Sequence, residues 1–369
     1  MNRHETRRGK LLRIIQREKL DAFLVTSEVN VSYLTGFSGD SSCLLVRPES
    51  TLIVSDFRYT TQLEEECPGL DTLIRTTDVK LPEAVVESLK RAKPRLRRVG
   101  IESHVMSVEL QNRLSGELED IEFVPVSSAI ENEIRAVKDA GEIDELRTAV
   151  HLAERGLEYL KAILTPDLTE RDASFELEHA LRRLGADGFS FPAIIAVGDR
   201  AALPHYRPGL LRIGDAGILL VDWGAKTASG YRSDLTRTLV TGKASSKLEK
   251  VYNIVLEAQE AAIAAIRPGI KCEDVDRIAR DVIAEAGYGK RFGHGLGHGI
   301  GLDIHEQPRF APKSPMELKA GMVVTVEPGI YLPGWGGVRI EDDVLVTRTG
   351  AEVLSQSLPK RFDDMILSL

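Results

Sequence analysis

Two aspartates stand where an ionised carboxylate is costly. Asp222 directly follows the apolar run at 217–221, and Asp234 lies on the segment that returns after a turn at 226–230. A hairpin between the two segments would bring both carboxylates together, where they repel each other and lose hydration. Bound cations, an arginine partner or raised pKa values would each relieve that repulsion.

The same arrangement occurs a second time, further along the chain. An apolar run at 322–326 ends at Glu327, and a glycine-rich stretch at 334–337 returns through Glu341. A single carboxylate at the end of a strand is usually a cap or a solvated end. Two such pairs in one chain, with a histidine-rich segment between them, favour a metal site.

That segment contains His294, His298 and His305, three of the eight histidines, with glycines that permit close backbone approach. It does not follow a Rossmann strand, and the chain has neither the HExxH nor the GxSxG motif, which argues against a dinucleotide loop, a zincin and a nucleophile elbow. Four carboxylates and one imidazole form a hard ligand set that favours Mn(II), Fe(II) or Co(II) and leaves Zn(II) possible. The set is large enough for two bridged divalent ions.

The elements that must position these residues fall into two parts. Residues 1–128 alternate helices with short apolar strands, which predicts a mixed α/β domain. Residues 129–369 contain four amphipathic helices in two pairs, and each pair precedes a β-rich segment. We therefore predict two similar halves folded over a curved sheet, with a capping box at 139–142 and a helix start at 169–172.

Composition excludes several classes of protein. The net charge of −8 argues against nonspecific nucleic-acid binding, which needs a basic surface. Three scattered cysteines without a CxxC motif are typical of a reducing cytoplasm, where we expect the protein to be located. No apolar run approaches the length of a membrane span, and no signal peptide is evident.

At these motifs the chain resembles the pita-bread metallopeptidases, which include methionine aminopeptidase, Xaa-Pro aminopeptidase, prolidase and creatinase. Seven matching segments occur in order, at 203–206, 222–225, 233–238, 294–301, 305–308, 327–331 and 337–342. The N-terminal part resembles the creatinase N-terminal domain at 21–26, 30–39 and 56–59, which points to the proline-specific branch. One departure is the spacing of Asp222 and Asp234, which is one residue longer than usual; we expect the extra residue in the turn, because a strand shift would turn Asp234 to the wrong face.

The resemblance implies a pita-bread domain with pseudo-twofold-related halves on a curved antiparallel sheet, and it assigns roles to ten residues. The metal ligands that it implies are Asp222, Asp234, His298, Glu327 and Glu341. The catalytic residues that we expect are His205, His305 and Glu327. The residues expected at the substrate are His294, Tyr331 and Arg339, and Arg339 is also expected to pair with a metal-binding carboxylate.

The expected function is a dinuclear-metal aminopeptidase that hydrolyses the N-terminal Xaa-Pro bond of peptides, with Mn(II) as the first choice of metal. Its substrates would be peptides with proline at the second position, and we expect it to bind neither nucleic acid nor membranes. We expect the protein to form a homodimer or larger homo-oligomer. The alternative is an Xaa-Pro dipeptidase, which needs a positive group for the free carboxylate of its substrate. A non-catalytic binding module and a creatinase-like amidinohydrolase are further alternatives that the intact ligand set disfavours.

Overall fold

The structure, a computed structural model, describes residues 2–369. The chain forms two compact units, the first ending at Ile134 and the second spanning Arg135–Leu369. The domain limits expected from the sequence, 1–128 and 129–369, stay predictions. Within residues 2–369, no helix is both long and apolar enough to cross a bilayer.

Within residues 2–134, the first unit contains one sheet and five α-helices. Its strands are β1 (Ala22–Val25), β2 (Cys43–Val46), β3 (Thr51–Asp56), β4 (Asp71–Arg75), β5 (Arg98–Glu102) and β6 (Glu122–Val126). Its helices are α1 (Arg3–Arg17), α2 (Glu28–Thr35), α3 (Thr60–Glu66), α4 (Leu81–Arg91) and α5 (Val108–Glu117). The strand order is β4-β3-β2-β1-β5-β6, and β1 pairs antiparallel with β2 but parallel with β5. This sheet confirms the predicted mixed α/β architecture.

The second unit contains the two predicted helix pairs, α6 (Ala140–Ile163) with α7 (Glu170–Arg183) and α8 (Ser246–Ala265) with α9 (Cys272–Glu285). The strands after the first pair are β7 (Gly188–Phe189), β8 (Ile194–Val197), β9 (Ile218–Trp223), β10 (Ala225–Lys226) and β11 (Leu235–Val240). The strands after the second pair are β12 (Gly297–Gly299), β13 (Glu306–Phe310), β14 (Val323–Val326), β15 (Gly329–Leu332), β16 (Gly336–Arg339), β17 (Asp342–Val346) and β18 (Ala351–Val353).

All strand pairs of the second unit are antiparallel. Its two larger sheets have the orders β11-β9-β8 and β13-β12-β14-β17-β18. An isolated antiparallel bridge between Thr236 and Glu341 joins the two halves. The structure thus confirms a pita-bread arrangement in which a helix pair and an antiparallel sheet occur twice.

The first helix of this unit begins where the sequence predicts. The Asp139 side chain accepts a hydrogen bond from the Glu142 backbone N–H at 3.0 Å, and the Glu142 carboxylate accepts one from the Asp139 N–H at 3.0 Å. This capping box satisfies backbone donors that the first turn of a helix leaves without partners. Leu146, Val150 and Leu157 follow on the buried face of the helix, so local sequence sets both the start and the orientation of α6.

Candidate active site

A cavity of about 510 Å³ in the second unit is lined by nine of the ten predicted site residues. The tenth, Tyr331, is buried behind the cavity wall, where its hydroxyl contacts two of the lining residues. The nine lining residues are His205, Asp222, Asp234, His294, His298, His305, Glu327, Arg339 and Glu341.

The first two carboxylates come from the β9–β11 hairpin. Asp222 lies on β9 opposite Thr236, Asp234 directly precedes β11, and the ladder between the strands runs without a register shift. A Cβ atom on Gly224 would lie 1.8 Å from the Ser233 carbonyl oxygen, so only glycine permits the two segments to approach this closely. Both aspartates face the cavity, and the longer spacing between them has not turned Asp234 to the other face.

The other ligand candidates come from the second half. His298 lies on β12, which pairs with β13 and β14, and Glu327 follows the last residue of β14. The small hairpin of β15 and β16 separates Glu327 from Glu341, which directly precedes β17. Because β14 and β17 pair antiparallel, the end of one strand lies beside the start of the other, and the two glutamates meet there.

The five side chains line one cavity, and three of them lie close enough together to hold one ion. His298 Nε2 is 3.6 Å from Asp234 Oδ2 and 3.4 Å from Glu327 Oε1. Asp234, His298 and Glu341 each offer a ligand atom, and those three atoms lie within 4.8 Å of one another. Asp222 and Glu327 line the same cavity beside this trio.

Electrostatics indicate that the cluster needs added positive charge. Burial raises the pKa of all four carboxyl groups, that of Glu327 to about 8, and repulsion by neighbouring carboxylates adds to the rise for Asp234, Glu327 and Glu341. Arg339 offsets part of this negative charge, because its Nη2 donates a hydrogen bond of 2.5 Å to Asp222 Oδ2. One cation cannot balance four carboxylates. The other oxygen of Asp222 is buried and has no hydrogen-bond partner within residues 2–369. Divalent cations would bind the unpaired oxygen of Asp222 and would offset the repulsion between the carboxylates. The donor set therefore fits two such ions.

Comparison with known proteins agrees with this geometry. Residues 144–348, more than half of the chain, match the model of metallopeptidase family M24, and residues 7–137 match the creatinase/prolidase N-terminal domain. The chain belongs to metallopeptidase family M24. A divalent-metal centre is a property of this family, while the identity of the metal stays a prediction.

Solved structures of three M24 relatives are similar over nearly the whole chain. An Xaa-Pro dipeptidase from Bacillus anthracis is 36% identical, with a TM-score of 0.92 and coverage of 99% of this chain and 100% of that one. A prolidase from Pyrococcus horikoshii OT3 is 32% identical, with a TM-score of 0.86 and coverage of 95% and 98%. An X-Pro aminopeptidase from Thermotoga maritima MSB8 is 32% identical, with a TM-score of 0.87 and coverage of 96% and 99%.

A hydrogen-bonded chain supports the M24 site from behind. Arg339 Nη1 donates to the Tyr331 hydroxyl at 2.8 Å, and that hydroxyl lies 2.9 Å from His294 Nε2. Because Arg339 donates, the hydroxyl proton is free for His294 Nε2, and His294 Nδ1 then donates to the Gly295 carbonyl at 2.7 Å. Burial lowers the pKa of His294 to about 4, which agrees with a neutral ring. Both ring nitrogens are engaged, so His294 offers a substrate its ring surface.

Two threonines at the site are absent from the sequence prediction. Thr236 Oγ1 donates to Glu341 Oε2 at 2.6 Å, and Thr325 Oγ1 donates to Glu327 Oε1 at 3.3 Å. Each threonine lies two residues from a predicted ligand, Asp234 or Glu327, and therefore on the same side of its strand. This two-residue spacing is the sequence signal that identifies both of them.

The structure also brings an arginine to the cavity that sequence reasoning did not place. Arg309 lies on β13 directly opposite His298 on β12, and it lines the cavity with its side chain exposed. Side chains that face each other across an antiparallel pair point to the same side of the sheet. No hydrogen bond or ion pair joins the Arg309 guanidinium to another of residues 2–369. A cation without a partner is therefore available beside the metal-ligand candidates.

Proposed function

We propose that this protein is an Xaa-Pro dipeptidase that uses two divalent cations to hydrolyse the bond between an N-terminal residue and a C-terminal proline. The sequence favours the aminopeptidase and leaves the Xaa-Pro dipeptidase as its alternative, and we now prefer the dipeptidase. Two of the three similar structures are named as a dipeptidase and a prolidase, and the dipeptidase has the higher identity. The third similar structure is an X-Pro aminopeptidase, so cleavage of peptides longer than two residues is the competing hypothesis.

The observation that carries this choice is Arg309. A dipeptide ending in proline has a free carboxylate one residue beyond the scissile bond, whereas a longer peptide has an amide there. A guanidinium binds a carboxylate with two parallel hydrogen bonds, and charge-assisted bonds of this kind are about twice as strong as neutral ones. Arg309 lies on the cavity wall beside His298 and has no competing acidic partner within residues 2–369. A longer peptide has no charged carboxylate at this position for Arg309 to bind.

The proposed roles of the site residues follow from their positions. Asp222, Asp234, His298, Glu327 and Glu341 would hold the two cations, which would supply Lewis acidity toward a water molecule and the substrate carbonyl. Glu327 takes the proton of the attacking water, because its carboxylate faces the cavity, where it lies beside Thr325 and His298. His305, stacked edge-on against His298 with ring centroids 4.4 Å apart, donates to the carbonyl oxygen as negative charge develops. His205 protonates the departing proline nitrogen.

The remaining expectations from the sequence stay predictions. They are Mn(II) as the metal, a cytoplasmic location and a homodimer or larger homo-oligomer. Metal analysis after expression, cell fractionation and light scattering measure each of them directly.

The test compares substrates that differ only at the carboxyl end. Purified protein is stripped with a chelator, reloaded with Mn(II), and assayed on Ala-Pro, Ala-Pro-amide and Ala-Pro-Ala. We expect Ala-Pro to be the best substrate and the metal-free protein to be inactive. If Ala-Pro-Ala is cleaved as well as Ala-Pro, the protein is an aminopeptidase; if the metal-free protein is fully active, the metal centre is wrong.

The arginine is tested by Arg309→Met. Losing a charge-assisted hydrogen bond costs about 1.5–3 kcal/mol, which corresponds to roughly 10- to 150-fold in kcat/KM. The loss should appear with Ala-Pro and be absent with Ala-Pro-amide, because the amide has no charge to bind. Arg348→Met removes an exposed arginine from the turn after β17 and should change neither substrate. An equal loss on both substrates would show that Arg309 does not bind the carboxylate.

A further inference from the structure

The segment between β8 and β9 carries His205 but has little regular structure of its own. It includes two short 3-10 turns, and both His205 and its neighbour Leu203 are exposed. A catalytic side chain must nevertheless be held close to its productive position, because a misplacement of about 1 Å can cost roughly 100-fold in rate. The contacts that fix this segment therefore bear directly on activity.

One buried carboxylate binds the segment at both ends. Glu170 is fully buried at the first turn of α7, and its Oε1 accepts the Val197 backbone N–H at 2.7 Å. Its Oε2 accepts the Gly209 N–H at 2.8 Å and the Tyr206 hydroxyl at 2.9 Å. Three donors satisfy the buried charge. All three lie in the stretch from Val197 to Gly209, which contains His205.

We propose that Glu170 is a positioning residue that holds His205 at the edge of the active-site cavity, a role that rests on the proposed function. Glu170 itself does not line the cavity; it acts through the backbone of Val197 and Gly209 and through Tyr206, the residue next to His205. Negative charge at the start of α7 is also favoured by the helix dipole.

The helix that carries Glu170 is well anchored. Ala173, Leu177 and Leu181 are buried in the main core of the second unit. At the same end of the helix, the Glu170 N–H donates to the Leu211 carbonyl at 2.9 Å. The carboxylate therefore connects a rigid helix to an irregular segment, which is the arrangement that positioning requires.

The second half of the unit holds its own cavity histidine in a similar way. Asp276 on α9 is buried; its Oδ1 accepts the Leu296 N–H at 3.0 Å and a hydrogen bond from Arg280 at 2.8 Å. Arg280 in turn donates to the His294 carbonyl at 2.8 Å. In each half, an acidic residue on the second helix of the pair thus fixes the backbone beside a histidine of the cavity. This recurrence supports a functional reason for Glu170.

Glu170→Gln is the sharpest test, because it keeps the shape of the side chain. The amide has one acceptor oxygen instead of two, and its NH₂ group cannot accept the Gly209 N–H. Tyr206→Phe removes only the hydroxyl contact. Glu178→Gln makes the same chemical change on the same helix, at a partly exposed residue paired with Arg182, and serves as the control.

Two measurements decide the proposal. Hydrogen exchange followed by mass spectrometry needs no substrate, and Glu170→Gln should raise exchange at least tenfold in peptides covering 198–211 while the rest of the unit is unchanged. In the Mn(II)-loaded enzyme, Glu170→Gln should lower kcat/KM for the Xaa-Pro peptide that wild type cleaves by about 10- to 100-fold, at unchanged metal content. Tyr206→Phe should show a smaller loss, and Glu178→Gln none.

A double-mutant cycle separates positioning from general stability. In a His205→Ala background, Glu170→Gln should lower kcat/KM by less than twofold, because the group that it positions is gone. An equal loss in both backgrounds, or unchanged exchange in 198–211, would overturn the proposal. Cleavage of tripeptides in place of dipeptides would refute the dipeptidase assignment but not the role of Glu170. The double-mutant cycle can be run on either substrate. If no Xaa-Pro peptide is cleaved, the proposed function fails and hydrogen exchange alone decides the role of Glu170.

Discussion

Replacing Glu306 by glutamine is expected to destabilise the second unit by about 3 kcal/mol. Glu306 directly follows His305 and is 6% exposed; its carboxylate accepts hydrogen bonds from Arg135 and, at 3.0 Å, from Lys138 Nζ. Both cations are buried as well. Arg135 also pairs at 2.7 Å with Asp303, which is half exposed. The variant would remove the carboxylate charge that these two buried cations share.

The magnitude follows from the protonation equilibrium of this carboxyl group. Burial alone would raise the pKa of Glu306, but the charges of Lys138 and Arg135 outweigh it and lower the pKa from 4.5 to about 2. Each pKa unit corresponds to about 1.4 kcal/mol, so the ionised carboxylate contributes about 3 kcal/mol to folding at neutral pH. Removing one partner of a buried ion pair typically costs roughly 3–5 kcal/mol, in agreement with this value.

Urea unfolding followed by tryptophan fluorescence measures the effect, because both tryptophans, Trp223 and Trp335, lie in the second unit. As a control, Glu352→Gln breaks an ion pair with Arg147 whose partners are both about 40% exposed, and it should cost no more than about 1 kcal/mol. Adding Lys138→Met to the Glu306 variant should restore part of the loss, since it removes one uncompensated charge.

The pH dependence provides a second check. A carboxyl group whose pKa is lowered by folding stabilises the protein above its unfolded pKa and loses that contribution as the pH falls toward the folded pKa. The difference between wild type and Glu306→Gln should therefore be complete above about pH 4.5 and shrink toward pH 2. A loss below about 1 kcal/mol at pH 7 with an unchanged m-value, or a difference independent of pH, would refute the reasoning.

Three further outcomes are expected. His298→Ala should purify with less than half of the wild-type metal content by elemental analysis; full metal occupancy would exclude His298 as a ligand. Gly224→Ala should lower the free energy of unfolding by at least about 2 kcal/mol in the same urea assay, because its Cβ would overlap the Ser233 carbonyl. In the metal-free protein, NMR of the His294 ring should show no titration between pH 5.5 and 8, since burial lowers its pKa to about 4. The contribution of His294 to stability should correspondingly decrease as the pH falls from about 6.5 toward 4, and a His294 midpoint near 6.5 would contradict the buried neutral ring.

Local sequence signals were sufficient for most of the fold of the second unit. The helix pairs, the capping box at Asp139 and the apolar runs that became β9 and β14 are determined by residues close together in the chain. Asp222 and Glu327 are also predictable from local sequence. A carboxylate at the end of a buried strand needs a partner for its charge wherever that strand lies in the fold. Local sequence does not predict the role of Glu170, because a glutamate at a helix start is common. Glu170 becomes a buried hydrogen-bond acceptor only when the segment at 197–209 folds over it.

What the sequence by itself determined is the chemistry of the site: four carboxylates and an imidazole that require cations, in a chain with the motifs of a proline-specific metallopeptidase. What only the tertiary structure decided is that Arg309 lies at the cavity beside His298. Arg309 is one of many arginines in the sequence, and it lines the cavity because β13 pairs with β12 in the register that sets it opposite His298. That register depends on contacts between residues far apart in sequence, so the presence of Arg309 at the cavity follows from the packing of one strand against another.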